Sequence, residues 1–178
     1  MNVKSLFILL LTTVLTFSTL YTPQPILPLL AQEFSVSGSE ISLLISLTLF
    51  PLGLMPIIYG YLIDNVSART ILHWFIGMLA VTELSLAFVS DFRIMLVFRL
   101  LQGLLLPAIF TAIVTYISNH SSADQRQKSI SSYIAATIIG GFAGRFLTGL
   151  ISDISDWRVA FMVWTVGLFV AWTLLWLL

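Results

Sequence analysis

Residues 19–30 read TLYTPQPILPLL and place three prolines, Pro23, Pro25 and Pro28, inside an apolar run. Proline has no N–H, so in a continuous helix these three strip the partners from the carbonyls of Thr19, Tyr21 and Gln24. In water such a break simply ends a helix. In hydrocarbon each unpartnered carbonyl costs several kcal/mol, and a broken helix survives only where protein or a water-filled cavity covers it. The solvent around this stretch therefore decides how it is read.

Composition supplies that solvent. Of 178 residues, 58% are hydrophobic and 9% are charged, against about 25% charged in an ordinary soluble domain. A water-facing surface cannot be built from this set, and the chain reads as a membrane protein in contact with lipid. Its 8 Lys+Arg balance 8 Asp+Glu, so net charge gives no footprint for nucleic acid. With no cysteine there is no disulfide, thiolate metal site or cysteine nucleophile. His73 and His120 fall near span ends, with nothing to pair them into a metal site. Neither a metal nor a cofactor is expected.

A hydrocarbon core of about 30 Å needs roughly 20 apolar residues per helix. Six stretches meet this: residues 5–30, 41–63, 70–89, 94–118, 130–151 and 159–178, joined by short polar breaks. The first continues to Leu30, longer than a secretory signal core of about 7–15 residues, and reads as a retained helix. The expectation is one all-α transmembrane domain over residues 1–178. With the N-terminus cytoplasmic, Lys4, Arg69, Arg126 and Lys128 lie inside while Arg93 and Arg158 lie outside, which favours both termini in the cytoplasm. Trp74 and Trp157 fall at span ends, where interfacial aromatics belong.

GYLIDNVSAR from Gly60 and GLISDISDWR from Gly149 share Gly-x-x-x-Asp-x-x-x-x-Arg. Gly60, Asp64 and Arg69 thus recur as Gly149, Asp153 and Arg158, after spans 2 and 5. Three spans separate the copies, so the repeat is inverted, a construction used by secondary transporters.

The loop after span 2 resembles the signature loop of the major facilitator superfamily, Gly-x-x-x-Asp-basic-x-Gly-basic-basic. Gly60, Asp64 and Arg69 match, while Asn65, Ser67 and Ala68 depart from it. RLLQG at residues 99–103 resembles the family's Arg-x-x-Gln-Gly, with Arg99, Gln102 and Gly103 on one helical face. IIGGFAGRFLTG at residues 138–149 resembles the antiporter-associated motif Gly-x-x-x-Gly-Pro; Gly140 and Gly144 match, and Arg145 stands in place of proline. DWRVAF at residues 156–161 is similar to the family's Trp-Arg-x-x-Phe. The resemblance covers nearly the whole chain and is closest to bacterial efflux members.

The resemblance implies a six-helix bundle of two inverted three-helix repeats, equal to the N-terminal half of a twelve-helix transporter. It implies a latch role for Gly60, Asp64 and Arg69 against the other half, and a place beside the cavity for Arg99. Gly103, Gly140 and Gly144 read as helix-contact residues.

Backbone and depth add their own reading. The broken end of span 1 should line the transport path, with Tyr21 and Gln24 as polar tips. Thr12, Thr16 and Thr19 either continue that polar stripe or bond back to their own helix. Counted from the span ends, Gln24, Glu83, Arg99 and Arg145 sit five or six residues deep, about 9 Å at 1.5 Å per residue. Glu83 is the only acid within a span. It is the candidate for proton coupling; its alternative is a fixed ion pair with Arg99 or Arg145, favoured because helix 3 is peripheral in the family. The surplus positive charge could attract an anionic substrate or the carbonyls freed in span 1. Tyr21, Gln24, Arg99, Gln102 and Arg145 are the substrate-pathway candidates.

No GxxxxGK[ST] phosphate loop is present, so ATP hydrolysis is not the expected drive. No nucleophile with a matched base suggests an enzyme. The expectation is proton-coupled efflux of a small molecule by alternating access in the bacterial inner membrane, with a second six-helix half from a separate chain or a second copy. The alternative is a truncated or non-transporting subunit that packs against a partner half.

Overall fold

A computed structural model describes the backbone of all 178 residues and the side chains of all but residues 62–64. The Asp64 carboxylate of the expected latch lies outside the described residues. The described residues form helices and turns, with no strand among them. Six helices are long and apolar enough to cross a membrane: span 1 (Val3–Glu33), span 2 (Gly38–Tyr61), span 3 (Ala68–Ala87), span 4 (Phe92–His120), span 5 (Ala123–Ile154) and span 6 (Trp157–Leu177).

The short polar breaks double as helix caps. Ser37 and Glu40 form a capping box that starts span 2, with Ser37 N–H donating to Glu40 Oε2 over 2.8 Å. Asp91 accepts from the Arg93 and Ile94 amides at 2.8 and 3.1 Å, and Asp156 from the Arg158 amide at 2.7 Å. Each cap satisfies amides that the first helical turn leaves without partners. Span 5 begins seven residues before its apolar run, because ADQRQKS is charged yet helix-compatible and continues the helix beyond the hydrocarbon.

The largest helix interfaces are span 2 against span 4 and span 1 against span 5. An inverted repeat that exchanges spans 1, 2 and 3 with spans 4, 5 and 6 turns one of these into the other. The repeated arginines obey the same exchange. Arg69 Nη2 donates to the Trp176 carbonyl at the end of span 6 over 3.1 Å, and Arg158 Nη2 to the Val89 carbonyl just past span 3 over 3.4 Å. The motif echo is therefore a structural repeat.

Small residues set the two large interfaces. A Cβ at Gly103 would lie 2.6 Å from the Thr48 carbonyl oxygen, and Cβ atoms at Gly140 and Gly144 would strike the backbone of Val14 and Ser18. Hydroxyls bridge both contacts, Thr48 Oγ1 to the Arg99 carbonyl at 3.1 Å and Ser18 Oγ to the Gly140 carbonyl at 3.0 Å. Close packing and such bonds drive helix association where lipid offers no hydrophobic gain. Gly60 makes no such approach: a Cβ on it would meet nothing within 4 Å. Trp157 also departs from the interfacial reading, being 2% exposed under the Arg158 guanidinium, whereas Trp74 is 69% exposed. Spans 2 and 5 are the least buried, and the exposed side of span 5 is an open face of the bundle.

Candidate functional site at the break in span 1

The proline stretch breaks span 1 into three pieces. A helix runs over Val3–Tyr21, a 3-10 turn over Gln24–Ile26, and a second helix over Leu27–Glu33. Two carbonyls at the break are taken by one side chain from span 4. Arg99 Nη1 donates to the Thr19 carbonyl at 3.4 Å and Nη2 to the Leu20 carbonyl at 3.0 Å. Thr19 is one of the three that proline was expected to free. Leu20 joins it because Gln24, four residues on, has already entered the 3-10 turn.

Arg99 reaches further. Its Nε donates to the Leu44 carbonyl of span 2 at 3.2 Å, and Nη1 donates to Gln102 Oε1 at 2.6 Å. Gln102 Nε2 in turn donates to Glu83 Oε2 of span 3 at 2.7 Å. Arg99, Gln102 and Glu83 are all fully buried. One guanidinium thereby ties spans 1, 2 and 3 to span 4. The fixed ion pair expected between Glu83 and Arg99 is corrected in detail: Gln102 stands between them, one helical turn from Arg99, with its amide polarity matching both neighbours. Glu83 Oε1 has no hydrogen-bond partner. Arg99 and Gln102, expected along the pathway, are buried between the spans in this structure.

A second cluster occupies the open face. Arg145 of span 5 is exposed, its Nε donates to Gln24 Oε1, its Nη1 donates to the Gly141 carbonyl at 2.9 Å, and its Cζ sits 3.8 Å from the centroid of the Tyr21 ring. The break brings this about, since the 3-10 turn packs on span 5 and delivers Gln24 to Arg145. The common depth of Gln24, Glu83, Arg99 and Arg145 thus resolves into two groups, Arg99 and Glu83 buried around Gln102, and Gln24 and Arg145 exposed.

The threonine stripe is corrected. Thr12, Thr16 and Thr19 are fully buried and donate to the carbonyls of Ile8, Thr12 and Leu15 on their own helix, so they serve packing. A cavity of about 530 Å³ between spans 3, 4 and 6, lined by Trp74, Met78, Leu104, Phe169 and Trp172, touches none of the cluster residues. The Leu44 carbonyl escaped the sequence reading, since it carries no side-chain signal. Gln102 was expected along the pathway, and its place between Arg99 and Glu83 is a finding of the structure. Gly141 packs closely against Tyr21 and Arg145.

A broken helix, a buried arginine clamp and an inverted three-helix repeat define a six-helix transmembrane bundle of the kind on which transporter families are built. The family model described as Major Facilitator Superfamily matches residues 9–178, and the chain belongs to that family. It is 32% identical over 147 residues to the inner membrane transport protein YnfM of Escherichia coli strain K12, covering 82% of this chain and 35% of that protein. It is 30% identical over 147 residues to the uncharacterised MFS-type transporter YybF of Bacillus subtilis strain 168, covering 82% and 36%. The chain spans about a third of the length of these curated relatives. Among solved structures, a bacterial homologue of the human lysosomal transporter Spinster, inward-facing and unoccupied, superposes with a TM-score of 0.85 at 16% identity, over 97% of this chain and 42% of that one. The chain is an integral membrane protein of a transporter family, and the family points away from enzymatic chemistry.

Proposed function

We propose that this chain supplies one six-helix half of a secondary active transporter that exports a small molecule by alternating access. The observation that carries the reading is the broken span 1. A disrupted helix has its carbonyls capped from within by Arg99 and presents Tyr21, Gln24 and Arg145 on an open face. Exposed charge at this depth is tolerable only beside water or a polar partner, which suits a wet passage shared with a second bundle. In this reading Tyr21, Gln24 and Arg145 line the passage, and Arg99 and Gln102 hold its wall. Glu83 is the proton-binding candidate, with Oε1 free to take a proton. Gly60, Asp64 and Arg69 form the latch against the second half; the open space at Gly60 leaves room for such a contact. The bacterial inner membrane, with both termini cytoplasmic, is the proposed setting, supported by the excess of basic residues in the loops assigned inside.

Export coupled to protons rests on the paired glycines of span 5 and the embedded charges. Everted membrane vesicles carrying the chain in its native assembly test it. Solutes should accumulate in these vesicles above control membranes, and collapsing the pH gradient should abolish accumulation. Accumulation that persists unchanged after collapse rules out proton coupling, and no accumulation of any solute class rules out transport.

A further inference from the structure

Arg145 is an embedded cation with no carboxylate at hand. Arg99 is linked through Gln102 to Glu83, and Arg158 pairs with Glu33 at 3.0 Å. Arg145 has no ion pair among the described residues; its partners are the Gln24 side chain, the Gly141 carbonyl and the Tyr21 ring. All three are neutral, so they fix the guanidinium without cancelling its charge. Gly141 makes this possible, because a Cβ there would lie 3.3 Å from Tyr21 Cε2 and 3.4 Å from Arg145 Nη1. Nη2 makes no bond within the described structure, and the side chain is exposed on the open face. A planar fork fixed on its Nε side, with its far edge uncommitted, is suited to an anion that accepts two hydrogen bonds.

We propose that Arg145 recognises a carboxylate or phosphate group on the transported molecule, with Tyr21, Gln24 and Gly141 as positioning residues. The proposal rests on the transporter reading and narrows it to anionic solutes. A cationic solute would meet repulsion at this point. The competing source of the same chemistry is an acidic side chain on the second half.

Phenylglyoxal, which modifies accessible guanidinium groups, separates the two in native membranes containing the assembled protein. Modification of Arg145 is read by peptide mass spectrometry in the presence of benzoate, inorganic phosphate or neutral benzamide. Arg145 should react, and at least one anion at saturation should slow the reaction by roughly tenfold while benzamide does not, as the loss of a charge-assisted bond pair predicts. Gly141→Ala, which crowds the Tyr21 ring and the guanidinium by a few tenths of an ångström while keeping the charge, should weaken that protection. Absence of anion protection, or equal protection by benzamide, overturns the assignment. An Arg145 that is unreactive throughout also overturns it, and recovery of reactivity when acids of the covering half are neutralised would assign it to an ion pair between halves. Solute movement in the same membranes is scored separately: movement without anion protection sinks only this proposal, and absence of all movement sinks the transporter reading.

Discussion

Gln102 shows how much can depend on one neutral side chain in a low-dielectric interior. It accepts from Arg99 at 2.6 Å and donates to Glu83 at 2.7 Å, and among the described residues it is the only hydrogen-bond partner of the Glu83 carboxylate. Replacing it with leucine leaves a buried carboxylate with no donor, which should destabilise the protein by about 3 kcal/mol. Glu83→Leu added to Gln102→Leu should recover part of that loss, because the orphaned group is then gone. Thermal unfolding of Gln102→Leu, Glu83→Leu and the double variant in detergent, followed by tryptophan fluorescence, checks both statements; additive losses would mean that the two side chains act independently. Arg99→Lys should be poorly tolerated as well, since an ammonium cannot reach the Leu44, Thr19 and Leu20 carbonyls and Gln102 from one planar fork. The presence of charge at this level was legible from residue counts along the spans. Its pairing was not, because counting gives depth and says nothing of direction around the helix. Arg99 and Arg145 share a level, yet one points into the bundle and the other onto its open face.

At the scale of elements, glycines that look alike in sequence divide by what faces them. Gly103, Gly140 and Gly144 abut backbone of the neighbouring span, whereas Gly60 faces open space. Alanine at any of the first three should cost about 1–3 kcal/mol through forced separation of the helices. Gly60→Ala in this chain alone should be neutral or should stabilise by up to about 1 kcal/mol through helix propensity. Equal losses at all four, measured as the shift in unfolding midpoint in detergent, would refute the division. The break in span 1 was readable from Pro23, Pro25 and Pro28 because a missing N–H is a local fact. The sequence also offered the surplus positive charge as a partner for the freed carbonyls; that Arg99 and not Arg145 takes that place was not readable, because the partner lies 79 residues away at Leu20 and 80 at Thr19. Similarly, the threonine spacing on span 1 announced a polar stripe, and only packing decided that the stripe turns inward and bonds to its own helix. The inverted repeat was visible from three matching positions, since Gly60, Asp64 and Arg69 recur at one constant offset as Gly149, Asp153 and Arg158.

For the whole molecule, lipid exposure and protein exposure have to be told apart, and apolar area cannot do it. Met78 on span 3 and Val166 on span 6 are 52% and 63% exposed, much like Phe142 on span 5 and Phe50 on span 2 at 63% and 68%. Polarity makes the distinction. The face that carries Phe142 also carries Arg145 and Gln24, and a guanidinium facing hydrocarbon costs about 2.5–3.5 kcal/mol at the bilayer centre and less toward the interface. No group of opposite charge within the described residues offsets it, so water or a second protein surface must. Spans 2 and 5 are exchanged by the repeat, so a bundle that covers one by a symmetric contact covers the other. A photo-reactive phenylalanine analogue at Phe142 or Phe50 should therefore cross-link in native membranes to a polypeptide with six further spans, while the same analogue at Met78 or Val166 should capture lipid. A second copy of this chain caught at Phe142 would identify the covering half as a homodimer partner, and a distinct polypeptide would identify a separate second half. Lipid adducts at all four positions would leave Arg145 facing hydrocarbon unaided, a cost incompatible with a shared passage.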